Sequence, residues 1–207
     1  MTVVAVETFY AILALVAIVS VVGAAGLRLM AVVSTSARHR WDGLARSVGP
    51  NAYAMAWFVA LLATAGSLYF SEVAGFEPCR LCWYQRIAMY PLVIVLAIAA
   101  ARRERAGTYY AAAIALIGAL VSVYHVTLEW FPSLDSGACS ATAPCTLIWF
   151  RMFGFISLPT LALSAFALIL TLMVLRHASD AADQELESAL AIDIEPDPDH
   201  SPDRRPA

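Results

Sequence analysis

The four cysteines of this chain form two close pairs, Cys79 with Cys82 and Cys139 with Cys145. The first pair has C-x-x-C spacing, follows Pro78, and precedes a long apolar run. We expect Pro78 to occupy the first helical position, since its missing N–H would be unpaired there anyway, and Cys79 to lie in the first turn. The positive end of a helix stabilises a thiolate, which is the reactive species in disulfide exchange. The spacing therefore predicts a redox site.

Two further residues near this pair could take part in its chemistry. Arg86 follows Cys82 by four residues, so both side chains fall on one helix face, and we expect the cation to make Cys82 easy to deprotonate. Arg86 has an alternative role, in which it extends to the lipid headgroups, but charges inside membrane spans are costly and usually functional. His125 lies near the outer end of a later apolar stretch, where a lone histidine is more often a surface or packing residue.

The composition is that of an integral membrane protein. Of 207 residues, 61% are hydrophobic and only 14% are charged, and the mean hydropathy is +0.72. A soluble domain of this size could not cover so much apolar surface. The composition therefore predicts that membrane lipid surrounds the chain. The sequence has no basic patch that would indicate a nucleic-acid partner.

Five apolar stretches are long enough to cross a hydrocarbon core of ~30 Å. They predict an all-α membrane protein with a four-helix bundle, formed by the second to fifth spans, and one additional N-terminal transmembrane helix. The predicted spans cover residues 8–33, 52–73, 81–101, 109–128 and 156–175. The predicted domains are an extra helix with a cytoplasmic loop (1–51), the bundle (52–178), and an acidic, disordered cytoplasmic tail with a short helix over 181–192 (179–207).

Arginine placement predicts the orientation of these spans. The connections at residues 34–51 and 102–105 carry most of the arginines between spans, and positive charge is retained on the cytoplasmic side. Five spans then put the N-terminus outside and the C-terminus inside. Both cysteine pairs fall on the outer face, where disulfides persist because the compartment is oxidising.

Three explanations for the four thiols follow from their spacing. They could form two inert structural disulfides, a Cys₄ zinc site, since C-x-x-C is also metal-ligand spacing, or a redox relay. A C-x-x-C disulfide closes a very small ring and is usually redox-active. A helical bundle that the bilayer already stabilises also gains little from a structural disulfide. The pattern favours the relay and no metal.

Three stretches of the chain resemble the DsbB family of disulfide bond formation proteins, especially its BdbC-type members. The resemblance covers about residues 53–176. It rests on Pro78-Cys79-x-x-Cys82-x-Tyr84-Gln85-Arg86, on Tyr124-His125 through Phe131-Pro132-Ser133, and on Cys145-Thr-Leu-Ile-Trp149 followed by Phe153-Gly154-Phe155-Ile156-Ser157-Leu158-Pro159. It implies a four-helix thiol oxidase of the bacterial cell (inner) membrane. Such proteins reoxidise a DsbA-like thioredoxin-fold partner and pass the electrons to a membrane quinone, either ubiquinone or menaquinone.

The resemblance also implies a role for each cysteine. The partner attacks Cys139, Cys145 is released and attacks Cys79, and Cys82 is then freed beside the quinone. The same resemblance implies that two further residues, Arg86 and His125, bind the quinone.

The chain departs from the family pattern in two places. The family core has four spans, so the first helix is an addition, and the second cysteine pair is more closely spaced than in the longest family members. A quinone-linked epoxide-reductase-type bundle shares this chemistry, but there the loop pair precedes the C-x-x-C motif, so the order in this chain argues against it. A reductase that runs the relay backwards remains an alternative, because the residues alone do not set the direction of electron flow.

Overall fold

The structure is a computed structural model, and it describes residues 2–135, 137, 139 and 144–194. Five helices of this part are long and apolar enough to span a membrane, with α2 and α3 forming one of them. The prediction of an all-α membrane protein with five spans is therefore confirmed. The α-helices are α1 (Val3–Val33), α2 (Thr35–Val48), α3 (Ala52–Leu68), α4 (Arg80–Arg102), α5 (Ala106–Trp130) and α6 (Leu158–Ile194).

Small residues set the packing of the bundle formed by α3, α4, α5 and α6. Alanines recur every four residues on one face of α3 and of α5, and this small surface lets neighbouring backbones approach closely. Phe166 of α6 fills the remaining space and lies so close to Gly118 that a Cβ there would collide with its ring. The buried alanines are Ala52, Ala56 and Ala60 on α3, and Ala111, Ala115 and Ala119 on α5.

The additional helix α1 packs against α6 and α2 and also reaches α3. Its Tyr10 hydroxyl donates a hydrogen bond to the Leu62 carbonyl oxygen of α3, at 3.1 Å. The Tyr10 ring lies over Gly66, where an added Cβ would be 2.6 Å from the ring. Helix α1 is therefore seated on the bundle next to both α3 and α6.

Residues 34–51 form helix α2 and a short 3₁₀ turn, whereas the sequence predicted a polar loop. Ala37, Trp41 and Ala45 are spaced by four residues and are buried, so the helix has one apolar stripe. Trp41 packs in a cluster with Leu175 of α6. Polar residues outnumber this narrow stripe, which is why composition alone indicated a loop.

Helices α3 and α6 extend beyond their predicted membrane segments. Helix α3 continues into a π-helical segment, Tyr69–Val73, and such segments are frequent at functional sites. Helix α6 has 37 residues and runs without interruption to Ile194. The first part of the predicted tail is therefore a continuation of α6, while residues 195–207 lie outside the described residues.

Candidate functional site

The first cysteine pair lies where α4 begins. The helix starts at Arg80 and Cys79 is its N-cap, so the prediction that Pro78 would be the first helical residue is wrong. The Cys79 sulfur accepts a hydrogen bond from the backbone N–H of Cys82, at 3.3 Å. One of the free N–H groups of the first turn is thereby satisfied by sulfur, in the way a serine or aspartate oxygen usually does it.

Cys79 and Cys82 are free thiols whose sulfurs lie 2.7 Å apart. Hydrogen bonding by the Cys82 thiol lowers the pKa of Cys79 from the ordinary value of 9.0 to about 4; burial opposes this shift, and His125 adds to it. These contacts favour the thiolate form of Cys79 at neutral pH. The sequence indicated Cys82 as the easier thiol to deprotonate because of Arg86, but the hydrogen bonds converge on Cys79.

His125 of α5 connects the two cysteine pairs. Its ring is buried, and its Nε2 lies 3.1 Å from the Cys145 carbonyl oxygen and 3.7 Å from the Cys79 sulfur. Because a carbonyl oxygen only accepts, Nε2 must carry the hydrogen. The Nδ1 atom then accepts from the Gln85 amide, at 3.4 Å. This fixed tautomer directs one N–H towards both the loop backbone and the Cys79 sulfur.

The second cysteine pair is oxidised, with a disulfide between Cys139 and Cys145. Cys145 is only 1% exposed and packs with Cys79, Leu81 and Leu128, whereas Cys139 is half-buried. The structure thus brings all four cysteines together at one end of the bundle, with Cys139 packed at the edge of the cluster that buries Cys79 and Cys145.

A cavity of about 250 Å³ adjoins the thiols, and we call it the thiol cavity. Its lining includes Cys79, Cys82, His125 and Glu129. Glu129 is 8% exposed, and its carboxylate accepts a hydrogen bond from the Ser157 hydroxyl. The sequence reading missed Glu129, although a lone acidic residue near the end of an apolar span was a signal that could have identified it.

A second and larger cavity, of about 340 Å³, lies between α1, α3, α4 and α6, and we call it the apolar cavity. Most of its lining is hydrophobic, but Cys82 and Arg86 also line it. The Arg86 guanidinium donates to the Ser67 carbonyl oxygen at 3.0 Å and lies over the Trp83 ring. These contacts hold Arg86, the one cation among the described residues of the lining, at the cavity wall.

Cys82 lines both cavities, so it lies between the other thiols and the apolar cavity. The structure places Arg86 at the apolar cavity and His125 at the thiol cavity. The two residues that the sequence reading grouped as quinone ligands are therefore on different cavities, and their roles in binding stay predictions.

Three residues of the thiol cavity could supply ligands to a metal ion. Ligand atoms of Cys79, Cys82 and His125 all lie within 4.8 Å of one another. The Cys139–Cys145 disulfide, however, occupies the other two sulfurs, which would have to be thiolates to bind zinc. A four-cysteine zinc site is incompatible with this oxidation state.

Helices that cross a membrane and a thiol pair set against a loop disulfide define the chain as an integral membrane thiol–disulfide oxidoreductase. The family described as disulfide bond formation protein DsbB matches residues 50–176. This is more than half of the chain, and the chain belongs to the DsbB family. The match includes α3, α4, α5 and the first part of α6, and leaves α1 and α2 outside.

The curated relatives that match this chain are also named disulfide formation proteins. The chain is 46% identical over 120 residues to disulfide bond formation protein C of Bacillus subtilis, an alignment that covers 58% of this chain and 87% of the relative. It is 43% identical over 124 residues to the probable disulfide formation protein C of Halalkalibacterium halodurans, covering 58% of this chain and 90% of that relative. No solved structure matches the chain significantly.

Proposed function

We propose that this protein is a disulfide oxidase of the bacterial cell membrane. It reoxidises an extracytoplasmic, DsbA-like thioredoxin-fold protein and passes the electrons through its two cysteine pairs to a membrane quinone. One observation carries the proposal: Cys82 belongs to the cluster of thiols and also lines an apolar cavity that contains one arginine. All four cysteines and Arg86, which take part in the proposed reaction, belong to the proposed bundle, 52–178.

The reaction begins at the loop disulfide, because Cys139 is the more accessible of its two sulfurs. A thiolate of the partner attacks Cys139, the Cys139–Cys145 bond breaks, and Cys145 leaves as a thiolate. The second partner thiol then attacks the mixed disulfide, releasing Cys139. The partner leaves as a disulfide and the loop pair holds the two electrons.

The electrons next move to the Cys79–Cys82 disulfide that forms in the oxidised enzyme. The Cys145 thiolate attacks Cys79, and Cys82 leaves as a thiolate; Cys139 then attacks Cys145, restoring the loop disulfide and releasing Cys79. The N-cap position and the low pKa of Cys79 make it a good leaving group. A stabilised reduced form also makes a disulfide more oxidising, which supports electron flow from the loop pair to this pair.

The apolar cavity fits a quinone in size and chemistry. Its volume of about 340 Å³ is within the range of small-molecule sites, and its lining is mostly hydrophobic. When bound, a quinone accepts two electrons and two protons and becomes a quinol. Arg86 would hold it by donating to a ring oxygen, and Cys82 is the thiol that would face it. Ubiquinone and menaquinone share this chemistry.

The proposal includes an orientation, N-terminus outside and C-terminus inside, that puts the cysteines on the extracytoplasmic face. The arginine-rich connections support it through the positive-inside bias. Reporters inserted at residues 40 and 104 should be cytoplasmic, and a reporter at residue 137 extracytoplasmic. A cytoplasmic reporter at residue 137 would place the thiols in a reducing compartment and contradict the proposal.

Mixing the purified protein with a reduced thioredoxin-fold partner and a quinone tests the function directly. We expect stoichiometric conversion of quinone to quinol and of partner dithiol to disulfide, and no conversion with the Cys82→Ser variant. Two other outcomes would contradict the proposal. One zinc ion per protein in the reduced enzyme would favour a metal site, and electron flow from quinol to an oxidised partner at equal concentrations of all species would favour a reductase.

A further inference from the structure

Helix α1 lies outside the part of the chain that matches the DsbB family, yet it lines the apolar cavity. Five residues from about two turns of α1 contribute to the lining: Tyr10, Leu13, Ala14, Val16 and Ala17. The remaining walls come from parts of the chain inside the matched region: α3 with its π-helical segment, α4 and the residues just before it, Trp149, and the first part of α6. The added helix therefore covers a side of the cavity that the four-helix bundle does not supply.

We propose that α1 is a wall of the quinone site and that the size of its cavity-facing side chains determines which quinones bind there. This inference rests on the proposed function, since it assigns the cavity to a quinone. It gives the added helix a role in substrate selection, whereas the bundle supplies the thiols and the cation.

The contacts of α1 fix its position at the cavity. The hydroxyl of Tyr10 donates to the Leu62 carbonyl oxygen, and its ring packs over Gly66 and edge-on to Phe70 of the π-helical segment. A side chain at Gly66 would collide with this ring, so the close approach of α1 to α3 depends on glycine. The wall is a packed part of the protein and not a helix loosely held by lipid.

The side chains that α1 presents to the cavity are apolar apart from the Tyr10 hydroxyl, which is already engaged by Leu62. They are suited to the hydrocarbon parts of a quinone, its ring substituents and isoprenoid tail, and not to the ring oxygens. Ala17 is 6% exposed, lines the cavity, and is outside the apolar packing clusters of the described residues. A larger residue there would extend into the cavity.

The first test is photolabelling of the full-length wild-type protein with an azidoquinone, followed by mass spectrometry of its peptides. We expect adducts on α1 between residues 10 and 17 as well as on α4. This measurement depends on proximity alone and needs neither turnover nor a variant.

The second test compares Ala17→Phe with Ala25→Phe, a matched change at an exposed position of the same helix. We expect Ala17→Phe to lower azidoquinone labelling and raise the quinone KM, each by about tenfold, because a filled cavity must be overpacked to admit the ring. Ala25→Phe should change neither. Disulfide exchange with the partner should be normal in both variants, which shows that they are folded.

The outcomes separate this inference from the proposed function. Labelling of α3, α4 or α6 without α1, or unchanged labelling and KM in a folded Ala17→Phe variant, would overturn the role of α1 and leave the oxidase intact. If Ala17→Phe loses partner exchange, the labelling pattern of the wild-type protein alone tests whether α1 lines the quinone site. Absence of labelling at every helix, together with absence of quinone reduction, would overturn the proposed function itself.

Discussion

Removing the Cys82 sulfur should make Cys79 titrate like a more ordinary thiol. In the reduced protein the hydrogen bond from Cys82 is the largest cause of the Cys79 pKa of about 4, against an ordinary value of 9.0. At pH 7, a thiol with a pKa of 9 is ~1% thiolate, whereas one with a pKa of 4 is almost fully thiolate, so the thiolate fraction differs by about a hundredfold. In Cys82→Ala the backbone N–H and His125 remain, and we expect the pKa of Cys79 to rise by at least ~2 units.

The pH profile of alkylation is the measurement that separates these states. Absolute rates at one pH are a poor guide, because the nucleophilicity of a thiolate falls as its pKa falls and offsets the gain in its population. In a protein with Cys139 and Cys145 replaced by serine, alkylation of Cys79 by iodoacetamide should be constant from pH 8 to about 5 and fall below about pH 4. In the additional Cys82→Ala variant, it should already fall through the neutral range.

Comparing two variants by the size of their effect on the Cys79 pKa tests the cause of the shift. His125→Ala should raise the pKa of Cys79 less than Cys82→Ala does, since the hydrogen bond from His125 is the smaller cause. A Cys79 that titrates near 9 with Cys82 present would refute the assignment of the thiolate. The reasoning also fails if Cys82→Ala leaves the profile unchanged, because the hydrogen bond would then not be the cause.

Three further predictions concern the acceptor site, the relay and the fold. Arg86→Met should raise the quinone KM by roughly tenfold or more through loss of a charge-assisted hydrogen bond, and Arg86→Lys should recover only part of it; unchanged quinone kinetics would leave Arg86 a purely structural role. Cys145→Ser should accumulate a mixed disulfide between the partner and Cys139 on non-reducing gels, and adducts through the C-x-x-C pair instead would contradict the order of the relay. Gly118→Ala should lower the free energy of unfolding by about 1–3 kcal/mol, because its Cβ would meet the Phe166 ring; denaturation in mild detergent that matches wild type would contradict this packing.

The sequence predicted the helices of the bundle well because hydropathy reports directly on the length of a membrane span. It also paired the cysteines correctly, since Cys139 and Cys145 are joined and Cys79 contacts Cys82. It missed α2, whose narrow buried stripe around Trp41 is masked by charged neighbours. Hydropathy and residue spacing describe one helix at a time and carry no information about contacts between helices.

The site residues that escaped the sequence reading depend on contacts between helices. Gln85 and Ser157 are ordinary polar residues until the fold places them against His125 and Glu129. The apolar cavity is equally a property of four helices together, and nothing in the pattern of α1 indicates that Ala17 faces it. The N-cap role of Cys79 was missed because Pro78 offered a familiar start signal one residue earlier.

The length of α6 has an electrostatic consequence. Its 37 residues extend for about 56 Å at 1.5 Å per residue, whereas the hydrocarbon core is ~30 Å thick. Counted from Leu158, the helix leaves the core near His177, so Asp183 and Glu187 lie roughly 9 and 15 Å beyond it. The headgroup region adds roughly 5–7 Å beyond the core, so Asp183 lies well within one Debye length (~8 Å) of the headgroups and Glu187 about one Debye length from them. Anionic headgroups should therefore repel the Asp183 carboxylate, and this repulsion weakens with added salt and towards Glu187.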